Sequence, residues 1–301
     1  MPKLPILGSF GGTGKGRGSK DGNKLSVARI IKTVVCVIAF LGVMAGFSFL
    51  CRELVGNYLL LVLPQASLTA NWLARLAIWV VCLAVTINIM AVLVRPVWLA
   101  ITAYFLAAII YVLIIGASEA MLVIAVIFFA GLSSRLMFVV RQLNNQINFS
   151  IHPLSDKNNV FFALLALLVA STFWLGYSQD MAKRAFIIAP EIKSVIVDLS
   201  VSQTKGLIKK QKLPLAQEKM AITAASQKVQ EMIEGFEKPL APFSRFVPII
   251  FAAILFSFLM TVFLFLGIVS LLVLKILFAL MRLAHFTSFT VENREIKHLI
   301  L

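Results

Sequence analysis

SQDMAKRAFIIAPEIKSVIVDLSVSQTKGLIKKQKLPLAQEKMAITAASQKVQEMIEGFEKPLAPFSRF, residues 178–246, is the one polar run in this chain long enough to fold by itself. The sequence on either side is dominated by hydrocarbon, back to residue 30 and forward over residues 247–283. The pattern is that of membrane-spanning helices arranged around one displayed polar segment. Within the segment, residues 215–236 carry the clearest helical period. Ile222, Ala225, Val229, Met232, Ile233 and Phe236 recur at steps of three and four, with Glu218, Lys219, Gln227, Lys228, Gln230, Glu231 and Glu234 elsewhere on the helix. Those six residues are the candidate docking face. Pro214 stands at the start of this helix and Gly235 near its end.

Residues 190–207 fit two patterns. Ile192, Val195, Ile196 and Leu199 suit a helix, whereas Val195, Val197, Leu199 and Val201 suit a strand. Pro190-Glu191 reads as a helix start and tilts the choice to helix, against the strand preference of so many Val and Ile residues. Two amphipathic helices then form a hairpin. Their apolar faces bury each other, lie on the bilayer, or offer a groove to another protein.

Hydrophobic residues make up 60% of the 301 and charged residues 14%. Soluble chains hold about 45–50% and about 25%, so the composition indicates an integral membrane protein. The formal net charge of +15 raises the question of nucleic acid. The charges lie between apolar runs and in the N-terminal tail, so they are better read as flanks that orient spans. No nucleic-acid partner is expected; the expected partners are the lipid bilayer and another membrane or extracytoplasmic protein. Cys36, Cys51 and Cys82 have no CxxC spacing and no nearby histidine, and they read as small buried hydrophobes. Neither a metal nor a cofactor is expected.

Residues 1–32 form a basic Gly-rich tail, read as flexible, with seven Lys or Arg against Asp21. Its GGTGKGRGSK run imitates a phosphate loop, but Gly14-Lys15 is followed by Gly16 where Ser or Thr is needed, and no strand precedes it. Residues 33–177 are a five-span block with apolar runs at 33–51, 72–94, 97–115, 121–140 and 160–177. Residues 52–71 hold an apolar run too short to cross, ended by Pro64, which suits an interfacial helix. Only Arg95-Pro96 separates spans two and three. A single helix through both would be about 65 Å long at 1.5 Å per residue, twice the hydrocarbon thickness, so a tight reversal is required. Ser118 is placed to cap the fourth span, with Glu119 in its first turn. Residues 247–283 lack a turn signal beyond Gly267 and read as one long span with a cytoplasmic helical extension. Residues 284–301 are a cytoplasmic tail. The fold class expected is therefore an all-α integral membrane protein. It has about six transmembrane helices and an extracytoplasmic helical hairpin between spans five and six.

With the basic N-terminal tail inside, the inner connections receive Arg95, then Arg135, Arg141 and Lys157, then Lys275 and Arg282. This satisfies the positive-inside rule with both termini cytoplasmic in a plasma or inner membrane. Four polar residues within or beside the spans are candidates for function, because ionisable groups in a bilayer are costly. They are Arg75, Asn88, Glu119 and Arg135. Arg75 and Glu119 are expected to pair at the outer side, with Glu53 as competitor for Arg75. Arg135 is expected to snorkel towards the inner surface, and Asn88 to hydrogen-bond a neighbouring helix.

No span carries a histidine beside a nucleophile or a pair of carboxylates, so the chain does not read as an enzyme. It reads as a multi-pass scaffold or accessory protein that displays residues 178–246 to a partner. The alternative is a small permease or channel lined by Asn88, Thr102 and Ser133 of spans two to four.

Overall fold

Residues 21–61, 66–94, 96–145, 158–184, 188–211 and 215–283 are described by the structure, a computed structural model. Nearly all of them are helical. In chain order they form α1 (Asp21–Gly56), a 3-10 turn (Tyr58–Leu61), α2 (Ala66–Leu93), α3 (Val97–Ile115) and α4 (Glu119–Asn145). Then follow α5 (Asn158–Arg184), α6 (Pro190–Gln211), α7 (Leu215–Leu240), a second 3-10 turn (Ala241–Phe246) and α8 (Val247–Leu283). Six of these, α1 to α5 and α8, contain a stretch long and apolar enough to cross a membrane.

The turns follow from local chemistry. Pro96 lacks an N–H and sits at φ −75°, ψ 157°, so the chain leaves α2 extended and starts α3 at Val97. α3 ends at Gly116, whose φ of 119° suits a residue without Cβ and whose N–H returns to the Val112 carbonyl at 2.9 Å. Ser118 caps α4: its Oγ accepts from the Met121 N–H at 3.3 Å and its carbonyl from the Leu122 N–H at 3.0 Å. Residues 190–211 are helix, with the Ile192 and Lys193 N–H groups both donating to the Ala189 carbonyl. A strand there needs a partner strand for its backbone, and none exists among the described residues. α8 runs unbroken through Gly267, roughly 55 Å at 1.5 Å per residue.

Two expectations are corrected. The tail does not stay irregular to residue 32. α1 begins at Asp21, because each residue added to an existing helix gains a hydrogen bond without a new nucleation cost. Spans two to four are also not simple sequential neighbours. α1 packs extensively against both α2 and α3, whereas α2 and α3 scarcely touch beyond their shared turn. Over residues 52–71 the described structure comprises the end of α1, the 3-10 turn at the expected short apolar run and the start of α2. Residues 1–20, Arg95, Pro153, Pro214 and the tail 284–301 lie outside the described residues.

The long helices alternate in direction. Glu53 near the end of α1 meets Arg75 near the start of α2, and Tyr177 near the end of α5 stacks on Phe251 near the start of α8. α5 is the central column: 78% of its most apolar window is buried, against 11% for α8. Tyr111 of α3 donates to the Leu168 carbonyl of α5 at 2.9 Å. Gly176 lets α5 approach the end of α1 so closely that a Cβ there would lie 2.6 Å from the Val55 carbonyl oxygen. The bundle therefore has two ends. The base holds the α2–α3 turn and the start of α5; the crown holds the α3–α4 turn, α6 and α7.

Candidate functional site

At the crown, the ends of α1, α2 and α5 bring charged side chains around a cleft of about 730 Å3. Arg75 points to Glu53 of α1 and forms a bidentate pair, Nη1 to Oε1 at 3.2 Å and Nη2 to Oε2 at 3.1 Å. Both side chains are 47% exposed, so solvent screening holds this contact to the scale of a surface pair. Glu119 is exposed at the start of α4 and is not the partner of Arg75. With α1 packed between α2 and α3, the carboxylate within reach is the one on α1.

Tyr58 turns inward from the 3-10 turn, edge-on to Phe173 and Tyr177. Its hydroxyl donates to Asp180 Oδ2 at 2.7 Å. Burial, reinforced by the neighbouring Asp180 carboxylate, pushes the Tyr58 phenol well above its ordinary range, so it remains a donor at physiological pH. Asp180 Oδ1 pairs with Arg184 Nε at 3.0 Å, and Arg184 Nη1 reaches Glu191 Oε1 of α6 at 2.7 Å. Lys193 of α6 lies 2.7 Å from the Glu237 carboxylate of α7, which also accepts the Ile188 N–H at 3.2 Å. A continuous series of polar contacts thus runs from the 3-10 turn through α5 to α6, and a second ties α6 to α7.

The base holds a different polar group. Arg135 of α4 is 3% exposed and does not snorkel. Its Nη2 donates to Asn88 Oδ1 of α2 at 2.6 Å and to Asn158 Oδ1 at the start of α5 at 2.8 Å. The guanidinium carbon is 5.8 Å from the centre of the Phe161 ring. Position 135 faces α2 and α5, so the charge is met by oriented amide oxygens inside the bundle. Charge-assisted hydrogen bonds of this kind are about twice as strong as neutral ones. Asn158 and Phe161 were not singled out from sequence. An asparagine before an apolar run reads as a helix cap, and nothing local marks it as a partner for a residue on α4.

The six residues of the α7 face do not form one open surface. Ile233 is buried against α6, sharing a crevice with Pro190 and Val197. Ile222, Ala225 and Val229 are partly covered, while Met232 and Phe236 are 56% and 60% exposed. The polar residues proposed to line a pore are likewise split. Asn88 is buried in the Arg135 cluster, whereas Thr102 is exposed and bonded to its own helix at Trp98. Among the described residues no group of three His, Cys, Asp or Glu side chains is placed to hold a metal ion. Comparison with known protein families, with curated proteins and with solved structures finds no match to this chain.

Proposed function

We propose that the protein is a multi-pass scaffold or accessory protein of a plasma or inner membrane. In this reading α6 and α7 form an extracytoplasmic hairpin for a protein partner, and both termini are cytoplasmic. The observation that carries it is the division of labour among the polar groups. The paired polar side chains hold helices together: the buried Arg135 joins α2, α4 and α5, and the partly exposed Arg184 and Lys193 pairs join α5, α6 and α7. Met232 and Phe236 of α7 remain outward after α6 has covered Ile233. A permease lined by Asn88, Thr102 and Ser133 is less well supported, because Thr102 is exposed whereas Asn88 is enclosed beside Arg135.

The test is a photo-reactive residue at Met232 in native membranes. The reading expects one discrete protein adduct, absent when the probe is moved to the lipid-exposed Leu113; adducts to lipid alone contradict it. Orientation is tested separately with single cysteines in a background lacking Cys36, Cys51 and Cys82. An impermeant thiol reagent added to intact cells should label Gln227→Cys and leave Ser19→Cys unlabelled. Labelling of the latter reverses the topology.

A further inference from the structure

The crown cleft is bounded by the end of the α1 span at Gly56, the start of the α2 span at Leu68 and the end of the α5 span at Arg184. Three apolar helices terminate around it, so it lies at the depth where hydrocarbon gives way to headgroups. Its lining is divided accordingly. Leu59, Leu60 and Leu68 supply an apolar side, and Leu68 is 53% exposed. Arg75, Lys183 and Arg184 supply cations beside Glu53 and Asp180 of the lining, and Glu191 of α6, just outside it, pairs with Arg184.

The hydrogen-bond balance fixes the sign of what fits. Both oxygens of Glu53 accept from Arg75, and the two oxygens of Asp180 accept from Tyr58 and Arg184. The two lining carboxylates are therefore occupied, and Glu191 is paired through Oε1 with Arg184. The donors are in surplus. Lys183 carries three N–H groups with no hydrogen bond or ion pair among the described residues, and Nη2 of Arg184 and Nε of Arg75 make none in the contacts above. A donor surplus beside an apolar wall, at headgroup depth, matches a phosphate joined to a glyceride.

We propose that this cleft binds the phosphate of an anionic phospholipid headgroup, held by Lys183 with Arg75 and Arg184, with the lipid backbone against Leu59, Leu60 and Leu68. The assignment does not depend on the scaffold reading, since it uses neither Met232 nor Phe236.

The experiment uses the full chain in phosphatidylcholine nanodiscs with a minor fraction of phosphatidylglycerol, and counts retained lipids by native mass spectrometry. Wild type should retain phosphatidylglycerol selectively. Lys183→Gln should weaken its binding about fivefold, the effect of roughly one interfacial charge. Lys228→Gln, which removes an equally exposed cation from α7, should leave it unchanged. Lys183 makes no ion pair among the described residues, so its variant should melt with wild type; a lowered melting temperature would make it a structural residue and overturn the assignment. Equal binding by the two lysine variants overturns it as well. Displacement of the lipid by millimolar inorganic phosphate points to a soluble anion and overturns the lipid source. A photo-reactive residue at Leu68 that captures protein in place of lipid also overturns it.

Discussion

Arg75 and Arg135 sit on helices that run in the same direction, and the two ends of the bundle treat them in opposite ways. At the crown, Arg75 is about half exposed and faces a carboxylate of full opposite charge. At the base, Arg135 is almost completely enclosed, and the partners that hold it include two neutral amides and an aromatic ring. The difference lies in how each charge is satisfied. A surface pair in high dielectric contributes about 0–1 kcal/mol. An enclosed guanidinium must be satisfied in place, because removing one of its partners leaves a charged group short of a hydrogen bond in a low-dielectric interior. The base is therefore a fastening among three helices, and the crown is an open polar cleft.

The largest effect is expected from Asn88→Leu. It removes an acceptor 2.6 Å from a buried charge, and the loss should be about 2 kcal/mol, read as a fall in the unfolding free energy in mild detergent. A variant as stable as wild type would show that the enclosed arginine does not fasten α2 to α4. Next comes Gly176→Val, where α5 meets backbone of α1, not a side chain that can turn aside. Overpacking of this sort costs roughly 1–3 kcal/mol. A melting temperature unchanged from wild type would mean that the two helices are not in contact at the crown. The smallest effect belongs to Glu53→Gln. It should lower stability by less than about 1 kcal/mol, and the loss should disappear in molar salt, where the Debye length falls to about 3 Å. Salt should not alter the Asn88→Leu loss.

The same contrast marks how far the sequence could be read. The long apolar helices, the reversal at Pro96 and the cap at Ser118 were legible because each rests on a local property: length of hydrocarbon, a missing N–H, a hydroxyl at the right offset. The helix over residues 190–211 was legible from Pro190-Glu191 despite its Val and Ile content. Which helices touch was not. Lipid tails are as apolar as leucine, so a span's hydrophobic pattern does not distinguish the side facing lipid from the side facing protein. That is why the packing of α1 against both α2 and α3 could not be foreseen, and with it the choice of Glu53 over Glu119 by Arg75. The enclosure of Arg135 was hidden for the same reason, since Asn158 is distant in sequence and resembles a cap. On α7, the helical period marked six apolar residues as one stripe, and the structure divides them. Only the packing against α6 separates Ile233, which is covered, from Met232 and Phe236, which are not.

The most direct test is a pair of double-mutant cycles run in the same detergent at the same ionic strength. One combines Asn88→Leu with Arg135→Leu, the other Glu53→Gln with Arg75→Gln. If the base is a fastening and the crown an open cleft, the first cycle gives a coupling of at least about 1 kcal/mol, within the range for residues in contact in one network. The second should give less than half of that. Equal couplings, or a larger one for Glu53 and Arg75, would contradict the division between the two ends.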